Sequence, residues 1–311
     1  MTNRNKVKAA TAASKTPAAK KEFSLIPGEK LTMLYATMLK CRLLDQRVQS
    51  LLAQGALRSS YTPSAGQEAA IVGVAIDLLP EDAIGPSHLD LIAGFVQSAP
   101  LDKLLGELIA GKNGGPPSQV AGHASLIAAG MALENKRQKN NRIAVSFLDA
   151  ESIASDCCRE ALHFAGANRL PILFVSQSGP RAEDVSATHG IPRITVDGND
   201  VVAVYRVACE AITHARKDHG PTLIECTHYP ANLHRSAGRN GGRTAAEAVD
   251  STHNDPIHIM EKYLSRKHLF HEEMKAEIVT GFNKKLDAAV DLAVRPLHRS
   301  RRKSRAESLH S

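Results

Sequence analysis

The stretch Ser146–Pro180, "SFLDAESIASDCCREALHFAGANRLPILFVSQSGP", decides the fold. A β-branched apolar run at Ile143–Leu148 predicts one strand, and Ile172–Val175 predicts a second. Between them, apolar residues recur at helical spacing over Cys157–Asn168. A strand, a helix and a second strand in this order are typical of the crossover unit of a parallel sheet.

An acidic residue directly follows the first of these strands. Asp149 stands between Leu148 and Ala150, and open α/β sheets bind ligands at the carboxyl ends of their strands. The loop has no glycine before its helix, although close approach of a backbone to phosphate favours glycine. Two interpretations stay open: Asp149 belongs to a ligand site, or its side chain caps the following helix.

The same alternation continues along the chain. Helices are predicted for Leu31–Leu57, Gln67–Leu78, Asp90–Gln97, Leu101–Ile109, Ala124–Asn135 and Val201–Lys217, and strands for Ala83–Gly85, "RITVDGND" and "TLIECTHY". A Gly- and Arg-rich loop follows the last strand, and an amphipathic helical region then begins with Asp255 as N-cap and Pro256 in its first turn. This order predicts a three-layer α/β domain, with a mainly parallel sheet and helices on both faces.

Composition indicates a globular protein. The chain has 311 residues, 43% of them hydrophobic, which suffices for one large domain with a sizeable core. No apolar run is long enough to cross a membrane and the start lacks the apolar part of a signal peptide, so we expect no membrane partner and a cytoplasmic location. The five cysteines show no paired metal-ligand spacing and are expected to be reduced.

The positive charge is concentrated at the two ends. Residues 1–22 and 295–311 are basic and lack an apolar period, which predicts disordered tails around a domain at 23–294. Basic tails can bind nucleic acid weakly, but solvated tails are the favoured interpretation. Nucleic acid is therefore not the expected partner.

Seven motifs carry a resemblance to a known family. They are "SAGQEAAIVGVA", "PSHLDLIAG" with "LLGELIAG", "AAGMALENKRQKNNRIAVSFLDA", "EALHFAGANRLPILFV", "VDGNDVVAV", "GPTLIECTHY" and "DPIHIMEKYL". In this order and spacing, over about residues 31–294, the chain resembles the alpha subunit of the dehydrogenase (first) component of 2-oxo acid dehydrogenase complexes, of the pyruvate, branched-chain or acetoin type.

The resemblance implies a fold, an activity, cofactors and a partner. The fold would be the three-layer thiamine diphosphate-binding fold, and the activity oxidative decarboxylation of a 2-oxo acid. In that family, thiamine diphosphate and Mg²⁺ bind at an interface with a beta subunit of a heterotetramer, with the diphosphate and Mg²⁺ on the alpha side. A diphosphate needs backbone N–H donors and a hard cation held by oxygen ligands.

Candidate cofactor residues follow from the family's motifs. Asp149 matches the Asp of Gly-Asp-Gly and would hold Mg²⁺, while Leu148 and Ala150 replace the two glycines. Ser178, a second candidate metal ligand, matches the first residue of Asn-Asn; if the alignment slips by one, Gln177 takes its place.

Two histidines complete the candidate set. His88 and Leu89 match the Tyr-Arg pair that grips the diphosphate, so His88 is a candidate cofactor residue and the Arg is lost. His234 matches the His of Gly-His-Ser and would orient or protonate the substrate as the catalytic residue. The alternatives are a helix-terminal position for His88 and a solvated loop position for His234.

These departures predict weakened or lost cofactor binding. Three hypotheses stay open: a working dehydrogenase alpha subunit with a degraded site, a non-catalytic structural or regulatory paralogue, and a nucleic-acid-associated protein acting through its tails. Restoring the motif with Leu89→Arg, Leu148→Gly, Ala150→Gly and Gly179→Asn is expected to strengthen binding.

Overall fold

The computed structural model describes residues 26–55, 57, 61–110, 121–178, 190–227 and 254–307, the last fourteen of them, 294–307, as backbone only. The predictions for His234, Gly179, the segment 1–22 and residues 308–311 lie outside these ranges. No helix within them is long and apolar enough to cross a membrane.

The described chain contains ten helices and five strands. The helices are α1 Gly28–Ala53, α2 Glu68–Ala75, α3 Asp90–Val96, α4 Leu101–Ile109, α5 His123–Arg137, α6 Ala150–Ile153, α7 Asp156–Ala167, α8 Val201–Arg216, α9 Pro256–Arg266 and α10 Glu272–Glu307. The strands are β1 Ala83–Ile84, β2 Ala144–Leu148, β3 Ile172–Ser178, β4 Arg193–Asp197 and β5 Thr222–Thr227.

The five strands form one sheet in the order β1-β2-β3-β5-β4. Each neighbouring pair is parallel, so the carboxyl ends of all five strands lie at one edge. The central strands read as apolar runs because both faces of a parallel sheet are covered. β2, for example, is buried along its whole length.

Two hydrophobic clusters cover the two faces of the sheet. On one face, Val145, Phe147 and Val175 belong to the larger cluster, which includes residues of α1–α4 and α8–α10. On the other face, Leu148 and Phe174 belong to a smaller cluster with residues of α5, α6 and α7. The alternation of side chains along each strand produces this division. The predicted three-layer α/β fold is confirmed.

Some predicted boundaries differ from the structure. α1 ends at Ala53 instead of Leu57, because Gly55 adopts a φ of +69° just beyond it. α2 ends at Ala75, three residues earlier than predicted. The predicted N-cap of α9 is confirmed, since Asp255 accepts a hydrogen bond from the backbone N–H of Ile257.

The end of α10 corrects one sequence prediction. Residues 295–307 were expected to lie in a disordered tail, but their backbone continues the helix to Glu307. Arg, Lys, Ala and Glu have good helix propensity, and extending an existing helix avoids the cost of nucleation. The proposed separation of this segment from the domain at residue 294 stays a prediction.

A close helix crossing depends on Gly73. A Cβ built at Gly73 in α2 would lie 2.7 Å from Val204 Cγ1 of α8 and 3.1 Å from the backbone N of Tyr205. We expect Gly73→Ala to lower the free energy of unfolding by about 1–3 kcal/mol through overpacking, measured by urea denaturation. Gly281→Ala in α10 is the control, because a Cβ there meets no atom within 4 Å. That variant should be unchanged or up to about 1 kcal/mol more stable, and equal effects at both sites would contradict the prediction.

Candidate functional site at the carboxyl edge of the sheet

The carboxyl edge brings several predicted site residues to one place. Leu148 of β2 is paired in register with Ser176 of β3. The next position on each chain is therefore level, which sets Asp149 beside Gln177. Ser178, the last residue of β3, pairs with Thr227 at the end of β5. The side chain of Ser178 lies outside the description, so its role as a metal ligand stays a prediction.

Asp149 caps a helix. Its carboxylate Oδ1 accepts a hydrogen bond of 2.7 Å from the backbone N–H of Ser152, and Asp149 is the N-cap of α6. The interpretation of Asp149 as a cap is thus confirmed. The residue is exposed, so the same carboxylate can also contact a ligand at this edge. The short helix α6 was not predicted; it ends before Ser155, whose side chain caps α7 by accepting from Cys158 N–H.

His88 lies near Asp149 in space, although β2 and α5 separate the two residues in sequence. Crowding by surrounding protein lowers the pKa of His88, and the negative charge of Asp149 raises it by a smaller amount. His88 keeps an exposed side chain despite this crowding. Two of the residues that the resemblance assigned to the cofactor site, His88 and Asp149, are therefore brought together by the fold.

Leu89 points into the core. Its side chain is only 1% exposed and belongs to the larger hydrophobic cluster, together with Leu91 and Ile92 of α3. Leu148, at one of the two glycine positions, is likewise 1% exposed and packs in the smaller cluster. Leu89 and Leu148 are thus core residues, and neither side chain is available to a ligand.

Asp90 is a carboxylate at this edge that the sequence analysis missed. Its Oδ1 accepts hydrogen bonds from Ser87 N–H at 2.7 Å and Ser87 Oγ at 3.3 Å. Burial raises the pKa of Asp90 to about 6, and the bonds from Ser87 lower it by a smaller amount. The available signal was the spacing of Ser87 and Asp90 just before an apolar run, which is typical of a helix start.

Gln177 is half-buried, and its side-chain amide atoms are buried without a hydrogen-bond partner in the described part of the chain. Neither its side-chain oxygen nor its nitrogen has a hydrogen bond there. Its strand neighbours Ser176 and Cys226 are buried, so the amide sits beneath the edge of the sheet. Buried amides are expensive to leave unpaired, which makes Gln177 the described side chain with most capacity left for a ligand.

Glu68 is the centre of a buried polar network between helices of the larger cluster. Glu68 is the first residue of α2. Its carboxylate is fully buried, pairs with Arg42 of α1 and accepts from Gly66 N–H at 2.8 Å. Arg42 also bonds Asp255, the N-cap of α9, at 3.0 Å. The network joins three helices, and its role is structural.

The comparisons with known proteins agree with this architecture. The model of the dehydrogenase E1 component family matches residues 35–298. The chain belongs to this family. One relative is the pyruvate dehydrogenase E1 component subunit alpha of Staphylococcus epidermidis strain RP62A, which is 32% identical to this chain over 287 residues. The match covers 84% of this chain and 77% of the staphylococcal subunit. The same subunit of Staphylococcus aureus strain Mu50 is 31% identical with equal coverage.

A solved structure from Mycobacterium smegmatis, described as a thiamin diphosphate-dependent enzyme, covers 56% of this E1 component and 34% of its own chain. Its TM-score is 0.39 and its sequence identity 18%, so it contributes no argument here. The family match and the two staphylococcal subunits confirm the predicted relationship to E1 alpha subunits.

The described residues at the edge do not by themselves fit a Mg²⁺-diphosphate site. Asp149 is the only carboxylate among the sequence's candidate ligands, and one of its oxygens already caps α6. Leu89, which the resemblance places at the arginine position, is buried. Ala150, which it places at a glycine position, carries a Cβ where backbone N–H groups would approach phosphate. No group of three His, Cys, Asp or Glu side chains suited to a metal occurs within the described ranges.

Proposed function

We propose that this chain is an E1 alpha-type subunit that assembles with a beta-type subunit, in the cytoplasm, and binds thiamine diphosphate and Mg²⁺ weakly or not at all. Its role in such an assembly, a heterotetramer by the family's pattern, would be structural or regulatory. The observation that carries the proposal is Leu89, which is 1% exposed and packed in the core at the position of the family's phosphate-binding arginine.

The charge balance of the edge supports weak binding. A diphosphate brings several negative charges, whereas His88 is driven towards its neutral form by the crowding that lowers its pKa. Asp149 adds a negative charge that only a cation could offset. Each lost charge-assisted hydrogen bond costs about 1.5–3 kcal/mol, or roughly ten- to a hundred-fold in affinity. Two such losses would move a micromolar site to about millimolar or weaker.

One observation favours a second function. Both amide atoms of Gln177 lack a partner in the described chain, and Gln177 lies level with Asp149. An amide oxygen is a suitable Mg²⁺ ligand and an amide N–H can donate to phosphate. With Gln177, His88 and Ser178 as replacement ligands, the chain would be a working subunit. In that case it would take part in oxidative decarboxylation of a 2-oxo acid, with His234 as the catalytic residue.

Calorimetric titration separates the two functions. Thiamine diphosphate with Mg²⁺ is titrated into the full chain, alone and mixed with a beta-type E1 subunit. The expected result is no saturation at micromolar cofactor in either mixture. The alpha and beta subunits of the Staphylococcus aureus pyruvate dehydrogenase serve as the control under identical conditions. Micromolar binding by this chain, lost on Gln177→Ala, would instead establish the working subunit.

A further inference from the structure

The last part of α10 has a high density of positive charge. Six Lys and Arg residues fall within the eleven positions 295–305, namely Arg295, Arg299, Arg301, Arg302, Lys303 and Arg305. His298 adds a group that becomes cationic when protonated, and Glu307 is the one acidic residue between 295 and 307. The match to the dehydrogenase E1 component family ends at residue 298, so most of this charge lies beyond the part that the family defines.

The structure places these residues on a helix that is anchored in its earlier part. The backbone of α10 is helical from Glu272 to Glu307. The larger hydrophobic cluster includes five residues of its earlier part, namely Phe282, Leu286, Ala289, Val290 and Ala293. Pro296 removes one backbone donor at the junction, and the helix continues past it. The segment 295–307 therefore extends an anchored helix by about 20 Å, at about 1.5 Å per residue.

Helical periodicity puts the basic residues on one side of α10. With about 100° between successive residues, His298 and the six Lys and Arg residues fall within an arc of about 200°. We call this arc the basic side of α10. The remaining arc holds Pro296, Leu297, Ser300, Ser304 and Glu307. That second arc continues the stripe of buried residues that includes Leu286, Ala289 and Ala293. The basic side is therefore opposite the stripe by which α10 packs on the domain.

We propose that the basic side of α10 binds the phosphate backbone of a nucleic acid duplex. A DNA duplex has about one phosphate per 1.7 Å of its axis, and six cations over about 16 Å of helix approach that density. Binding of this kind is independent of base sequence, because phosphates and not base edges are contacted. The proposal goes beyond the proposed function, since it requires neither the cofactor nor a beta subunit.

The prevalence of arginine favours phosphate as the ligand. Five of the six cationic residues at 295–305 are arginine, and a guanidinium can donate two parallel N–H bonds to one phosphate. The basic segment at residues 1–22 also has six cationic residues, but five of them are lysine and the six spread over eighteen positions. The same charge at two densities provides a comparison within one chain.

The helical backbone changes the expectation from the sequence, in which residues 295–311 formed a solvated tail. A disordered tail loses conformational entropy when it binds, and this loss lowers its affinity. A segment that is already helical avoids part of the loss. The segment 295–307 therefore presents its charges to a ligand at lower cost than a disordered chain of the same composition.

A membrane surface is a less suitable partner. A helix that lies on a bilayer inserts a broad apolar face at the boundary of headgroups and acyl chains. The arc opposite the basic side has only Pro296 and Leu297 as apolar residues, next to two serines and Glu307. Phosphate binding needs no apolar face, because the counterions released from a duplex supply the driving force.

Fluorescence anisotropy of a short labelled DNA duplex, titrated with the full chain at several salt concentrations, tests the proposal. The wild type is expected to bind. The logarithm of its binding constant should fall against the logarithm of the salt concentration with a slope of about −5, if all six cations contact phosphate. Arg295→Gln, Arg299→Gln and Arg302→Gln together should make the slope shallower by about three and weaken binding at low salt by about tenfold or more. Glutamine keeps the helix propensity of this segment.

The matched control removes the same charge from the other basic segment. Arg4→Gln, Lys6→Gln and Lys8→Gln together lower the net charge equally, and they should leave the slope and the affinity nearly unchanged. Equal losses for the two triple variants would show that overall charge, and not the basic side of α10, binds the duplex. That result would overturn the proposal, as would a wild type that does not bind at low salt.

A helix-breaking substitution tests the importance of the ordered backbone. Ser300→Pro interrupts α10 within the basic segment and keeps every charge, whereas Ser308→Pro lies just beyond the helix. Circular dichroism should record the loss of helix for Ser300→Pro. We expect Ser300→Pro to weaken duplex binding several-fold and Ser308→Pro to leave it unchanged. Equal affinities of the two variants would refute an ordered basic side as the binding element.

Two further probes identify the ligand. An RNA duplex, titrated in parallel, determines which nucleic acid supplies the phosphate backbone that the chain binds more tightly. Vesicles that contain anionic lipids test the membrane as a partner, and tighter binding to them than to either duplex would overturn the choice of nucleic acid. The cofactor titration tests the proposed function separately, and its result has no bearing on duplex binding.

Discussion

Leu89→Arg, which restores the family's phosphate-binding residue, is expected to lower the free energy of unfolding by about 3 kcal/mol or more. The Leu89 side chain is 1% exposed among apolar neighbours, so an arginine would either bury an unpaired charge or displace the start of α3. Chemical denaturation of the full chain measures the loss. Thiamine diphosphate binding should not improve with this change alone, although the sequence predicts stronger binding when Leu89→Arg is combined with Leu148→Gly, Ala150→Gly and Gly179→Asn.

The neighbouring residue provides the matched control. His88 is exposed, so His88→Arg introduces the same charge one position away without disturbing the core. Its effect on stability is expected to stay within about 0.5 kcal/mol. The opposite outcome would be a Leu89→Arg variant that is as stable as His88→Arg and binds the cofactor at micromolar concentration. A single substitution would then restore the site. The proposal of a vestigial site would then fail.

Asp82→Ala is expected to destabilise the protein by about 3–5 kcal/mol. The Asp82 side chain is fully buried and pairs with Arg216 of α8 through two contacts of 2.5 and 3.1 Å. It also accepts from the backbone N–H groups of Leu79 at 2.7 Å and Ile143 at 2.9 Å. Removing the carboxylate leaves a largely buried guanidinium and two N–H donors without their acceptor.

The exposed ion pair between Asp287 and Arg47 is the control for the buried pair of Asp82. Asp287 pairs with Arg47 at 2.6 Å, but its side chain is 64% exposed. Asp287→Ala should therefore cost no more than about 1 kcal/mol in the same denaturation experiment. Similar losses for the two variants would show that the Asp82 pair is no stronger than a solvated one.

Local pattern was sufficient to predict most of the elements. The predicted Leu101–Ile109 helix agrees with α4 at both ends, and the strand at Ile143–Leu148 differs from β2 by one residue. These elements are determined by the period of their own apolar residues, which a sequence displays directly. The four-residue α6 was missed because so short a helix shows no apolar period, although Asp149 was considered as a cap.

Long-range contacts explain what could not be predicted. Asp82 and Arg216 are 134 residues apart, and no local pattern links them. The burial of Leu89 depends on helices packed around it, so the sequence showed a missing arginine but not a core residue in its place. His88 and Asp149 were each assigned to the site through the family resemblance, and their proximity became visible only in the fold.

The helix cap formed by Asp149 gives a reason why a former ligand residue can persist through evolution. A capping carboxylate contributes about 1 kcal/mol to stability, a noticeable share of the roughly 5–15 kcal/mol available to a protein. A loss of that size can alter cellular abundance, so natural selection can retain this aspartate for folding alone. An ancestral metal ligand can thus outlive the metal, and the presence of the aspartate in a descendant is poor evidence for surviving catalysis.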